Sequence, residues 1–225
     1  MPFFLPPHWF YDIDNILDTV SVLILLLVAF FGASYYRLSK RKSYLLLTAS
    51  FSILALSFII KVAYNFIIYH HLLAPTSLVE AQELLQSLPT IIVFAVFFHR
   101  FFQLLGLFLL YLLHQKLPKS SIFLFLYFIG ILTYFSRSAY YLFHITTLFF
   151  LFFITLVYFT QWKLNKRSTT KLLTMGFATM GFAHVLFMFH QVTNIFYVAA
   201  EIVQVVGYLI LLITFIMVLR HGQTK

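Results

Sequence analysis

The chain is 225 residues long, 62% hydrophobic and only 9% charged, with mean hydropathy +0.96. That composition excludes an ordinary water-soluble domain, and the absence of cysteine excludes disulfides, thiolate metal sites and cysteine nucleophiles. The formal charge of +9 is spread over short polar breaks, a pattern that fits anionic lipid heads and not nucleic acid.

The N-terminal stretch MPFFLPPHWFYDIDN has no basic region before an apolar run, so the first span is expected to be a retained anchor and not a cleaved leader. A span needs about 20 apolar residues to cross roughly 30 Å of hydrocarbon. Seven stretches are read as spans: 16–36, 43–69, 90–113, 121–135, 140–160, 171–190 and 196–219. The fourth is short and ends in Ser136-Arg137-Ser138; six spans would be the alternative. Between the second and third, helix formers around Glu80, Gln82 and Glu83 predict a short surface helix within 70–89.

Charge sets the expected direction. Most basic residues fall on one side: Arg37, Lys40, Arg41, Lys42, Lys116, Lys119, Lys163, Lys166, Arg167, Lys171, Arg220 and Lys225. Asp12, Asp14, Asp18, Glu80 and Glu83 fall on the other. The positive-inside rule then puts the N-terminus outside and the C-terminus in the cytoplasm, which requires an odd number of spans. The expected fold is all-α, a seven-helix integral membrane protein in one domain (1–225), multi-pass in a cytoplasmic-type (plasma) membrane.

An internal repeat is also expected. Tyr36-Arg37-Leu38-Ser39-Lys40-Arg41, then Leu46-Leu47-Thr48 and Phe51, align without a gap to Trp162-Lys163-Leu164-Asn165-Lys166-Arg167, then Leu172-Leu173-Thr174 and Phe177. Gln103-x-x-Gly106 answers Gln204-x-x-Gly207 at a second offset. The reading is repeat A over 16–113, a linker helix over 121–135 and repeat B over 140–219, in parallel copies. This arrangement resembles the 3+1+3 plan of the SWEET sugar transporters. The resemblance is of plan: the paired Pro-Gln motifs of that family are absent, so none of its gating residues carry over. The run Met175-Gly176-Phe177-Ala178-Thr179-Met180-Gly181-Phe182, with Gln-x-x-Gly-Tyr-Leu in the last span, is similar to small multi-pass membrane proteins of archaeal type. Retinal attachment needs a lysine in the last span, and 196–219 has none.

Ionisable groups within a span cost about 2.5 to 3.5 kcal/mol at mid-helix on insertion scales, so they tend to face the bundle interior and mark a site. Here they are Lys61, His99, Arg100, His184 and Glu201. Helical spacing places Ser50, Ser57, Lys61 and Asn65 on one stripe, Arg100 with Gln103, and Glu201 with Gln204. The expected binding site joins Arg100, Glu201, Gln103, Gln204, His184, Lys61 and Asn65, with Arg100 and Glu201 paired across a central cavity. The bland alternatives are an Arg100–Glu201 structural clamp and a Lys61 that snorkels outward.

Of nine histidines, His8, His70, His71 and His190 are read at the outer boundary and His114 and His221 at the inner one. His99, His144 and His184 remain as candidate metal or haem ligands, although satisfied core histidines are the default. There is no GxSxG, P-loop, HExxH or paired carboxylate, so no enzyme signature is read. The leading expectation is a small transporter or channel-like protein for a small polar or anionic solute or protons. A sensor or haem-carrying subunit acting through a partner is a second reading, and a structural subunit or homo-oligomer of a membrane complex a third.

Overall fold

The computed structural model describes residues 8–73, 78–115, 117–136 and 139–222. The side chains of His8, His70, His71, Glu80, Glu83, Lys116, Arg137, Arg220, His221 and Lys225, used above for boundaries and charge, lie outside the described residues. After one 3₁₀ turn, His8–Phe10, come seven helices: α1 Tyr11–Ser39, α2 Lys42–Leu73, α3 Leu78–Leu112, α4 Lys119–Phe135, α5 Tyr140–Asn165, α6 Ser168–Met188 and α7 Asn194–Gly222.

Six of these helices carry apolar stretches long enough to cross a bilayer. Exposed Phe30, Phe66, Phe149 and Ile195 on their outer faces give the bundle the apolar surface that lipid requires. The chain is therefore a multi-pass integral membrane protein. The fourth helix differs, since its 17 residues are apolar but reach only about 25 Å. The separate surface helix expected within 70–89 does not form. Its helix formers instead lengthen α2 through Leu73 and open α3 at Leu78, with Pro89 inside α3.

Consecutive helices pack as hairpins: α1 lies along α2, α2 along α3, α5 along α6 and α6 along α7. Seams between α1 and α7 and between α3 and α5 close the ring, and α4 lies outside it against α3 and α5. The core that fills the ring includes Leu25, Val28, Phe51, Leu54, Leu151, Ile154, Phe177 and Leu211. With no water to satisfy backbone-like groups, buried hydroxyls turn to their own helix. Ser21, Ser50, Thr147 and Thr214 each donate to the carbonyl four residues earlier, at 2.7–3.0 Å.

Two local structures occur twice. The first and fifth helices both end on a left-handed lysine, Lys40 at φ 54° and Lys166 at φ 51°, the two non-glycine residues with positive φ among those described. Each lysine amide donates 2.8 Å back to the carbonyl four residues earlier, on Tyr36 and Trp162. Close helix approaches repeat as well. A Cβ on Gly106 of α3 would fall 2.6 Å from Leu54 and 3.1 Å from the Ser50 carbonyl of α2. One on Gly207 of α7 would fall 2.5 Å from Met180 and 3.2 Å from the Gly176 carbonyl of α6. Without a hydrophobic drive between helices in lipid, such small-residue contacts set how closely the backbones pack.

Candidate functional site

Near the end of the bundle where α1 and α7 begin, three helices turn polar faces toward one point. On α1, Asp14 and Asp18 stand one turn apart and in phase with Ser21 and Leu25, so the packing that buries the apolar face also buries both carboxylates. On α2, Lys61 and Asn65 share a face, and on α7 so do Tyr197 and Glu201. All six side chains are buried, Asp14 and Asp18 completely. At about 1.5 Å per residue, Asp18, Lys61 and Glu201 sit roughly 10 Å inside the ends of the apolar stretches, and Asp14, Asn65 and Tyr197 roughly 3–5 Å inside them.

Lys61 is the hub. Its Nζ lies 2.7 Å from Glu201 Oε1, 3.0 Å from Asp18 Oδ1 and 3.7 Å from Asp14 Oδ1. Asp14 is held further by donors from two helices, Asn65 Nδ2 at 3.1 Å and the Tyr197 hydroxyl at 3.0 Å. Asp18 Oδ2 is buried with no hydrogen-bond partner among the described residues. One ammonium thus faces three carboxylates in a low-dielectric interior, and full ionisation would leave an excess of negative charge there. Such an excess is costly in an apolar interior unless it is compensated.

Of the residues expected at a site, Lys61, Asn65 and Glu201 come together here. Asp14 and Asp18, read from the sequence as outer-side charge, are instead inside the bundle, and Tyr197 was not anticipated. Lys61 does not snorkel, being 8% exposed and turned toward acids. The expected Arg100–Glu201 pair does not form. The third helix packs on α2, α4 and α5, whereas α7 packs on α6 and α1, so the two side chains end at different seams. Arg100 Nη1 donates to the Ser136 carbonyl at 2.6 Å and lies 3.1 Å from its hydroxyl oxygen. The guanidinium sits over the Tyr140 and Phe143 rings, 5.5 and 5.4 Å from their centroids.

Gln103 and His184 line a small, mainly apolar cavity inside the ring with Phe51, Leu54, Phe177 and Met180. Gln204 reaches the Tyr208 hydroxyl at 3.3 Å. His99 Nδ1 lies 3.0 Å from the Ser57 carbonyl, while the Ser57 hydroxyl donates 2.8 Å to the His99 carbonyl, joining α2 to α3. His144 and His184 share a hydrogen bond between their Nδ1 atoms at 2.9 Å. Among the described residues, no three His, Asp or Glu side chains are grouped so as to hold a metal ion.

The chain matches no known protein family, no curated protein and no solved structure.

Proposed function

We propose that this protein moves protons across its membrane, as a small transporter or channel-like protein, and that the Lys61 centre is where the proton binds. The observation that carries the reading is the imbalance of three buried carboxylates, from α1 and α7, on one buried ammonium. Surplus carboxylates inside a span impose a large desolvation cost that a transported proton would relieve.

The plan of the bundle supports the same reading. The paired left-handed turns at Lys40 and Lys166, and the close approach of Gly106 to Ser50 and of Gly207 to Gly176, support two parallel three-helix repeats joined by α4, an arrangement known among transporters. The basic residues near the Lys40 and Lys166 turns support an orientation with those turns cytoplasmic, so that the Lys61 centre faces the outer side. In this reading Glu201 and Asp18 exchange the proton, and Lys61 lowers the cost of keeping both carboxylates buried.

The test is flux in reconstituted vesicles containing a pH-sensitive dye, with an imposed pH gradient or potential. Wild-type protein is expected to carry protons, and Glu201→Gln to lose at least tenfold of that flux. Flux equal to that of empty vesicles under every gradient would remove the proposal. A second reading follows from Lys61 tying α1, α2 and α7 together: the centre is a clamp. It predicts that Glu201→Gln lowers the unfolding temperature with no flux to lose.

A further inference from the structure

The Lys61 centre has a counterpart of opposite charge on the other side of the ring. The step in sequence from Lys40 to Lys166 also carries Asp14 to Tyr140, Asp18 to His144 and Lys61 to Phe187; the step from Gly106 to Gly207 carries Arg100 to Glu201. One contact recurs between matched positions, and the same pairs of helices supply both groups. Asp18 reaches Lys61, and the His144 ring stacks on Phe187 at 5.0 Å; Glu201 closes the first group from α7, and Arg100 closes the second from α3, lying over Tyr140. The first group occupies the α1–α7 seam and the second the α3–α5 seam. Every acid of the first is replaced in the second by a neutral or basic residue.

What remains at the second seam is a permanent positive charge without an acid. The ion pairs among the described residues all belong to Lys61, and Arg100 spends Nη1 on Ser136, leaving further guanidinium N–H groups. His144 is 4% exposed; its Nδ1 is engaged by His184, and its Nε2 is buried with no hydrogen-bond partner among the described residues. Asp18, its counterpart in register, carries the same kind of unanswered atom. A guanidinium with N–H groups to spare and an unanswered imidazole nitrogen stand beside the same tyrosine ring, 4.3 Å from His144, and both can donate to one anion when the imidazole carries its proton on Nε2.

We propose that this seam is an anion site, in which Arg100 and His144 hold one negatively charged group, either a free inorganic anion or a lipid phosphate. The guanidinium supplies the charge and a planar pair of donors, and His144 Nε2–H a third donor when its Nδ1 accepts from His184. The site does not depend on the Lys61 centre carrying ions, and its test leaves that centre aside.

The experiment titrates delipidated protein in neutral detergent with sodium chloride, with sodium phosphate and with phosphatidylglycerol, at ionic strength held constant by gluconate, and reads the thermal unfolding midpoint. A saturable rise with chloride or phosphate identifies a free anion, and a rise with the lipid alone identifies a headgroup. In either case Arg100→Gln is expected to weaken the half-saturation point roughly tenfold or more, and His144→Phe severalfold, while Thr160→Ala, at the exposed far end of α5, leaves it unchanged. Arg100→Lys, which keeps the charge and loses the fork, is expected to fall between wild type and Arg100→Gln, and it carries the comparison if Arg100→Gln does not fold. No rise with any of the three probes, or variants at Arg100 and His144 that titrate like wild type, would overturn the proposal.

Discussion

Glu201 Oε1 on α7 lies 2.7 Å from Lys61 Nζ on α2, a contact that spans 140 positions of chain and joins two helices that are not sequence neighbours. Its energetic weight comes less from the attraction than from what each partner would face alone. Removing the base leaves uncompensated buried acids, which typically costs about 3–5 kcal/mol, whereas removing all the charges together is often neutral.

Lys61→Met is therefore expected to lower stability by about 3–5 kcal/mol, and Lys61→Met combined with Asp14→Asn, Asp18→Asn and Glu201→Gln to regain most of it. Unfolding midpoints of the purified variants check this. A combined variant no more stable than Lys61→Met would show that the acids are not the source of the loss.

The same centre shows what the sequence discloses and what it does not. Lys61 and Glu201 were legible because an ionisable residue inside an apolar run is conspicuous. Asp14 and Asp18 were not, because they precede the apolar run and counting charges by side assigns them to the exterior. The helix begins at Tyr11, so they are already inside it. Their spacing, in phase with Ser21 and Leu25, held the signal. The long helices were equally legible from apolar length, and the fourth was weak for a physical reason, its 17 residues. The Arg100–Glu201 pairing failed for another. Similar sequence positions need not meet at the centre of a bundle: the packing of α7 on α1 and of α3 on α5 sends these two side chains to separate seams.

Glycines at the helix crossings give a prediction about packing that is independent of charge. In Gly207→Ala the new methyl would fall 2.5 Å from the Met180 Cγ and 3.2 Å from the Gly176 carbonyl, so α6 and α7 must part. The expected loss is about 1–3 kcal/mol, as for other overpacked sites. Gly130 of α4 is the control, since a Cβ there meets nothing within 4 Å. Gly130→Ala is expected to gain about 0.5–1 kcal/mol from helix propensity alone. Opposite signs of the two shifts in unfolding midpoint are the outcome to look for. Equal shifts would mean that the α6–α7 contact is looser than described.

Just past α3, the His114 ring lies edge-on to Tyr158 at 4.7 Å, and its Nε2 is buried with no hydrogen-bond partner among the described residues. Burial therefore holds this imidazole below its ordinary value of 6.5. The sign of the pH effect follows. The folded protein keeps His114 neutral where the unfolded chain would already take up a proton, so its contribution is complete above 6.5 and is lost as pH falls from there toward the lower folded value. His114→Phe removes the titrating group while keeping a ring against Tyr158. The unfolding midpoint of wild type minus that of His114→Phe is thus expected to fall as pH is lowered through 6.5 and to level off above it. A difference that stays flat across that range would place the His114 ring in contact with water.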